Sequence, residues 1–172
     1  MQERSTEYAH FFTATNLEWK PLLKDDKNKD IVIDSMRYLV KDKRVIIYAF
    51  VIMPNHMHII WQLRAGRNRE DVQRDFLKYT AQQIKSRVRK LNPADLLLYL
   101  VNAKDRKYQF WERNPLSIEI WSEKVFMQKL KYIHENPVRA SLCKHPLDYK
   151  YSSARFYYDG KDDWGFLTHI RD

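Results

Sequence analysis

The sequence contains a single cysteine, Cys143, among its 172 residues. One thiol cannot build a disulfide framework or a thiolate zinc cluster, and such scarcity fits a reducing compartment. No apolar run approaches the roughly 20 residues that a membrane-spanning helix needs, and the first residues, MQERSTEY, are polar. We therefore expect a cytoplasmic protein without a membrane partner.

Repeats, low-complexity tracts and interdomain linkers are also missing from the chain. A length of 172 residues with 44% hydrophobic and 14% aromatic residues is enough for one buried core. We therefore expect a single domain over residues 1–172, with its core at about residues 8–136 and a C-terminal tail at residues 137–172.

Acidic residues are too few to balance the basic ones, since 22 Asp and Glu stand against 31 Lys and Arg and leave a formal net charge of +9. This excess suits a polyanionic partner, nucleic acid above all, although a basic surface that is merely solvated is the alternative. If the partner is DNA, the protein should associate with the nucleoid.

A predicted β-hairpin carries the most informative residues of the chain. Residues 49–62, AFVIMPNHMHIIWQ, place two apolar runs around Pro54 and Asn55, a pair that favours turns. Successive side chains of a strand point to opposite faces, so His56 and His58 should share one face. Two adjacent imidazoles can bind one metal ion, but such a pair can also be ordinary hydrogen-bonded hairpin residues.

Hydrophobic periodicity and turn residues predict the other elements. They are a strand at Tyr8–Thr15, a helix at Asp26–Lys41, hairpin strands at Arg44–Met53 and His56–Leu63, a helix at Glu70–Leu91 and a last strand at Tyr108–Trp111. The order βαββαβ is typical of an α+β, ferredoxin-like antiparallel sheet with helices packed on one face. A C-terminal helix capped by Ser122 should then end near Pro137, because the residue before proline disfavours helical geometry.

The predicted helix at residues 70–91 has an apolar side and a basic side. Its basic residues recur at helical spacing and form one stripe: Arg74, Lys78, Lys85 and Arg89. Such a stripe is often only a solvated helix face, but beside a phosphodiester site it would follow a DNA backbone.

The C-terminal helix carries Tyr132 and Asn136 four residues apart, and therefore on one stripe. A tyrosine hydroxyl can attack phosphorus, but its pKa of about 10 calls for a cation, a base or an activated electrophile nearby. A divalent ion held by both histidines and the Asn136 amide oxygen would activate a phosphate. Spacing alone does not select Tyr132, because the chain has 11 tyrosines and most buried ones only pack.

Three segments together resemble a known family: FVIMPNHMHIIW, KYIHENPVRASL and YKYSSARFY, spread over about residues 50–156, with a weaker match in HFFTATNLEWKPL. They resemble the single-tyrosine HUH transposases, and within that family the REP-associated tyrosine transposases. In this resemblance the histidine, hydrophobic, histidine motif falls on His56, Met57 and His58. Ser141 departs from the pattern, because the family has glycine there.

The resemblance implies a ferredoxin-like fold and places the catalytic tyrosine on Tyr132 and the third metal ligand on Asn136. It implies a metal-dependent single-stranded DNA endonuclease and strand transferase with Mg²⁺ or Mn²⁺ as cofactor. Cleavage would occur near a DNA hairpin and leave a 5′-phosphotyrosine and a free 3′-hydroxyl. Arg139, in the second segment, joins the basic stripe among the expected DNA-binding residues. A homodimer is possible, in which the tyrosine of one subunit serves its partner's histidines.

Two other classes of function use part of the same residues. A domesticated DNA-hairpin-binding protein would keep the basic residues and stacking aromatics while its site is silent. A zinc hydrolase would use the histidine pair, but it has no use for Tyr132. His134 is two residues from Tyr132 on the same helix and should point elsewhere.

Overall fold

The computed structural model describes residues 8–172, so the polar segment at residues 1–7 lies outside the described residues. A four-stranded antiparallel sheet forms the centre, in the order β2-β3-β1-β4. Its strands are β1 (Ala9–Thr15), β2 (Val45–Ile52), β3 (His56–Leu63) and β4 (Leu116–Ile120). The helices are α1 (Asp26–Lys41), α2 (Arg69–Leu91), α3 (Glu123–Arg139) and the short α4 (Ala154–Tyr158). The predicted α+β, ferredoxin-like order is confirmed.

Helices cover both faces of the sheet. On one face, which we call the α1/α2 face, Phe12, Met57 and Trp61 join a core cluster with residues of α1 and α2. On the opposite α3 face, strand residues such as Phe11 and Ile60 pack against α3. The contributions of α3 to this second core are Phe126, Leu130 and Ile133. Alternation along each strand therefore divides the core into two layers.

The fourth strand is β4, at Leu116–Ile120, so the prediction of a strand at Tyr108–Trp111 is wrong. Phe110 and Trp111 are buried in the core of the α1/α2 face, where the Trp111 indole donates a hydrogen bond to Thr80 of α2 at 3.1 Å. The prediction relied on the aromatic content of this segment. The rings fill the core, but the backbone of the segment does not join the sheet as a strand. The true strand, LSIEI, is mostly exposed and pairs with β1.

Helix α3 begins as predicted, because the Ser122 hydroxyl accepts a hydrogen bond from the Val125 amide at 3.2 Å. The predicted end near Pro137 is wrong, since the helix continues to Arg139 with Pro137 buried inside it. Proline lacks an N–H and so loses one helical hydrogen bond. Burial of its ring and the amide of Leu142, which donates to the Pro137 carbonyl at 2.9 Å, hold the last turn together.

Ser141 follows α3 with a left-handed backbone, φ 58°. Helices commonly end with a residue in this conformation, and glycine adopts it most easily. The glycine expected here from the family resemblance thus has a structural reason, and the serine adopts the same geometry.

The tail after α3 crosses the outer edge of β2 and attaches α3 to the sheet. The amide of Ser153 donates to the Phe50 carbonyl at 3.0 Å, and the Ser153 hydroxyl lies 2.9 Å from His134 Nε2. Tyr151 and Phe166 of the tail belong to the core of the α1/α2 face. His134 thus faces the tail and not the stripe of Tyr132, as its position predicted. Over residues 8–172, no helix is both long and apolar enough to span a membrane.

Acid should weaken the fold through His134, because burial lowers the pKa of this imidazole to about 4 from its ordinary value of 6.5. At a pH between these two pKa values, His134 is protonated in the unfolded chain but stays neutral in the folded protein. The free energy of unfolding therefore falls as the pH decreases. One such group gives a slope of up to about 1.4 kcal/mol per pH unit. We expect His134→Gln to show a flatter slope in urea denaturation from pH 6.5 to 4. An unchanged slope in His134→Gln would contradict the assignment.

Candidate active site

The pairing of β1 with β3 fixes the two histidines. His58 lies opposite Thr13 and His56 opposite Thr15, and β3 is an inner strand with β2 on its other side. The imidazole centroids are 4.9 Å apart with their planes at 75°. The prediction that both histidines share one face is confirmed, and this face is the one covered by α3.

Each imidazole is oriented through its Nδ1 atom. His56 Nδ1 lies 2.7 Å from Oδ1 of Asn55 in the hairpin turn, and His58 Nδ1 lies 2.7 Å from the Thr13 hydroxyl. Because an amide oxygen only accepts hydrogen bonds, this contact favours the His56 tautomer with its proton on Nδ1. His58 Nε2 is buried and has no hydrogen-bond partner among the described residues. An orphaned buried nitrogen is unusual in a folded protein and suits a metal ligand.

Helix α3 brings Tyr132 and Asn136 to the histidines. The Tyr132 ring centroid is 5.3 Å from that of His58, and 42% of the tyrosine side chain is exposed. Asn136, one turn later, is buried and its side chain forms a hydrogen bond with His56. The three residues predicted to bind a metal and the predicted nucleophile therefore meet at one place.

Cations border this cluster. The Arg139 guanidinium lies 4.5 Å from the centroid of the Tyr132 ring and donates to the Tyr132 carbonyl at 2.9 Å. The Lys129 ammonium lies 4.7 Å from the ring of Phe11, which stacks on His58 at 5.1 Å. Such a border favours an anion such as a phosphate.

Both histidines are held in the neutral form. Burial, followed by the charges of His56, Lys129 and Arg139, lowers the pKa of His58 to about 3. Burial also lowers the pKa of His56, against a smaller opposing effect of its hydrogen bond to Asn136. Neutral imidazoles at pH 7 keep a lone pair free, which metal binding requires.

The residues present fit an open metal site. Among residues 8–172, no group of three or more His, Cys, Asp and Glu side chains is placed to hold an ion. The third protein ligand would therefore be an amide oxygen, and Asn136 is in contact with His56. Three ligands leave positions for substrate, unlike the closed four-ligand shell of a structural zinc site.

The basic stripe of α2 does not reach this cluster. Arg74, Lys78 and Lys85 line an open groove between α2 and residues 105–117, to which Arg106 and Arg113 also contribute. Because α2 packs on the opposite sheet face, the sheet separates the groove from the histidines. Arg74 also pairs with Asp71 at 2.7 Å and with Asp75 at 3.0 Å.

The fourth residue of the stripe, Arg89, is exposed on α2 outside the residues that line the groove. Of the residues predicted to bind DNA, Arg139 is the one that the structure places at the site.

Sequence reasoning missed three neighbours of the histidines: Thr13, Asn55 and Trp19. Thr13 could have been found, because a strand paired with β3 must place a side chain opposite each histidine. The sequence places Asn55 in the hairpin turn but gives no sign of its contact with His56. Trp19 lies in a loop, with its ring centroid 5.5 Å from that of His56, and a single loop aromatic gives no pattern.

Fold and site together define an α+β domain in which a histidine pair on an inner strand faces a tyrosine on a separate helix. The structure of a REP-associated tyrosine transposase bound to a REP hairpin has this fold, with a TM-score of 0.66 and 20% identity over 100% of this chain and 94% of that chain. A Deinococcus radiodurans R1 protein assigned as a transposase aligns at a TM-score of 0.49 and 15% identity, over 79% of this chain and 96% of that chain. No family model and no curated protein matches the chain. The first likeness confirms the expected fold.

Proposed function

We propose that the protein is a metal-dependent single-stranded DNA endonuclease and strand transferase of the REP-associated tyrosine transposase type. The observation that carries this proposal is the exposed Tyr132 at 5.3 Å, centroid to centroid, from His58, whose buried Nε2 lacks a hydrogen-bond partner among the described residues. A phenol and an open metal site at one place match phosphotyrosine chemistry better than they match a structural role.

In this proposal His56, His58 and Asn136 hold Mg²⁺ or Mn²⁺. When bound, the ion polarises a phosphate oxygen and stabilises the charge that develops during attack. Arg139 and Lys129 attract the DNA backbone, and Arg139 also restrains Tyr132 through its contact with the ring and the carbonyl.

The Tyr132 oxygen attacks the phosphorus of one DNA phosphodiester. A bond from the tyrosine oxygen to phosphorus forms and the bond from phosphorus to the 3′ oxygen breaks. The phenol proton leaves to solvent, which reaches the half-exposed side chain, and the 3′ oxygen gains a proton. The products are a 5′-phosphotyrosine and a free 3′-hydroxyl.

Strand transfer is the same reaction in reverse. The tyrosine ester keeps the energy of the phosphodiester, so the 3′-hydroxyl of a second strand can attack the phosphorus and release Tyr132 without ATP. One site thus suffices for both cleavage and joining.

The partner in this proposal is single-stranded DNA that contains a hairpin. The structure with the same fold holds a REP hairpin, and this chain offers two basic surfaces, the α2 groove and the border of the site. A homodimer and the cytoplasmic, nucleoid-associated location remain predictions from the sequence.

A silent hairpin-binding protein is the second candidate. The observation in its favour is the position of the α2 groove, which lies across the sheet from the site. DNA could bind in this groove without any reaction taking place at the histidines. The first experiment below distinguishes the two candidates.

Tyr132→Phe should abolish cleavage, because it removes the nucleophilic oxygen and keeps the ring. Labelled hairpin-bearing single strands from around the protein's own gene, incubated with Mg²⁺ or Mn²⁺, should give wild-type protein a DNA-linked band that survives denaturation. Tyr132→Phe should give neither the band nor a cut and should bind the DNA normally. Tyr79→Phe, an exposed tyrosine of α2, is the matched control. Normal cutting by Tyr132→Phe would indicate metal-activated water, and absence of cutting by wild type would favour the silent binder.

His56→Ala and His58→Ala should each lose Mn²⁺ binding in calorimetry and abolish cleavage, while DNA affinity in chelator changes by less than about three-fold, because phosphate contacts dominate that affinity. His145→Ala, an exposed histidine of the tail, should behave as wild type. Retention of Mn²⁺ affinity by both variants, or full wild-type cleavage in chelator, would contradict the metal site.

Charge removal on α2 should weaken the binding of all DNA sequences alike. We expect Lys78→Ala and Arg89→Ala each to reduce the slope of log K against log salt by about one unit or less. Arg74→Ala should matter less because Asp71 and Asp75 already compensate its charge. Lys124→Ala, exposed at the start of α3, serves as the control. Identical slopes in all variants would show that the stripe is only a solvated helix face.

A further inference from the structure

Trp19 is a large exposed aromatic at the edge of the site. Its side chain is 60% exposed, although its ring centroid lies only 5.5 Å from that of His56, with the two planes at 68°. Burial of aromatic surface is strongly favourable, so a tryptophan left open beside a candidate active site has surface available for a ligand.

The loop that carries Trp19 is held in an unusual conformation. Glu18 and Trp19 both have left-handed backbones, φ 51° and φ 57°, which side chains with a β-carbon rarely adopt. The Glu18 amide donates to the Glu112 carboxylate at 2.6 Å, and the Trp19 amide donates to the Asn16 carbonyl at 2.9 Å. Strained residues of this kind persist only where their surroundings fix them.

The same hairpin turn fixes both Trp19 and His56. Asn55 accepts a hydrogen bond from the Asn16 amide through its backbone carbonyl at 2.9 Å, and its side-chain oxygen lies 2.7 Å from His56 Nδ1. The backbone of the loop that carries the indole is therefore tied to the same turn as His56, and the indole ring itself makes an edge contact with the His56 ring. A surface placed in advance in this way binds a ligand with a smaller loss of conformational entropy than an unrestrained side chain.

We propose that Trp19 is a stacking platform for one unpaired base of the DNA strand whose phosphate occupies the site. This inference rests on the proposed function and adds a subsite to it. Every base has a π-face, and stacking on an aromatic side chain tolerates any sequence. The platform would keep the strand beside His56 unpaired and extended, and so set which phosphodiester reaches Tyr132.

The test uses Tyr132→Phe protein as the parent, so that no DNA is cut during binding. The probe is a hairpin flanked on each side by about ten thymidines, a length within the site sizes of single-strand binders. A series of probes replaces one thymidine at a time with an abasic residue. Trp19→Ala and Trp19→Phe are added to the parent, and affinities are measured in Mn²⁺.

Trp121→Ala is the matched control. Trp121 is 70% exposed and follows Ile120, which pairs with Ala9 at the opposite end of β1 from the Thr15 partner of His56. The two ends are six residue steps apart along the strand, roughly 20 Å. If any loss of exposed aromatic surface weakened DNA binding, the variants of Trp121 and Trp19 would both bind more weakly. If Trp19 forms a specific subsite, only the Trp19 variants lose DNA affinity.

We expect one abasic position to weaken binding by the parent roughly ten-fold, within the range of base stacking on an aromatic side chain. Trp19→Ala should bind intact DNA as weakly as the parent binds that abasic probe, and should be insensitive to the abasic change. Trp19→Phe should restore part of the affinity, and Trp121→Ala should keep the parent's pattern.

Three results would overturn the inference. In the first, the parent binds DNA with no abasic-sensitive position; in the second, that sensitivity persists in Trp19→Ala. In the third, Trp19→Ala lowers Mn²⁺ affinity in the absence of DNA as much as it lowers DNA affinity, which would make the indole a support for His56. If the parent binds neither the hairpin nor its flanks, the proposed function fails together with the platform.

Discussion

The antiparallel pairing of β1 with β3 is the constraint on which the candidate site depends. It places Thr13 opposite His58, where the Thr13 hydroxyl contacts His58 Nδ1 at 2.7 Å and Nε2 is left without a hydrogen-bond partner among residues 8–172. A shift of the register by one residue would turn both histidines into the core of the α1/α2 face. Apolar residues fill that core, so the hydrophobic pattern of β3 selects the register, and the register orients the two histidines.

The position of Tyr132 follows from packing on the α3 face. Phe126, Leu130 and Ile133 bury the apolar side of α3 against the sheet, which leaves Tyr132 at the border between the core and solvent. The tail adds a second attachment through the 2.9 Å contact between Ser153 and His134. The proposed nucleophile is thus carried by a helix whose position is fixed from both sides, which favours a defined distance between the phenol and the proposed metal ligands.

Much of the site could be predicted from the sequence, because period-two alternation places His56 and His58 on one face wherever β3 is a strand. Tyr132 could not be selected from periodicity among 11 tyrosines, and its choice required the three motifs of the family resemblance. The strand at Tyr108–Trp111 was wrong because buried aromatics are common to strands and to core-filling loops. The left-handed turn that presents Trp19 is held in part by the hydrogen bond from the Glu18 amide to Glu112, and a contact between residues so far apart in the sequence leaves no local signal.

The charges at the site suggest why an ion and DNA would bind together. The proposed ligands are two imidazoles and an amide, none of which carries negative charge, and the charged side chains that act on His58 from α3 are Lys129 and Arg139. A divalent cation held by these three side chains would gain no negative charge from its own ligands, unlike a cation held by carboxylates. In the proposed function, a DNA phosphate would supply that charge and would itself be attracted by both the ion and Arg139. Because such coupling is reciprocal, the ion would strengthen the binding of the phosphate as much as the phosphate strengthens the binding of the ion.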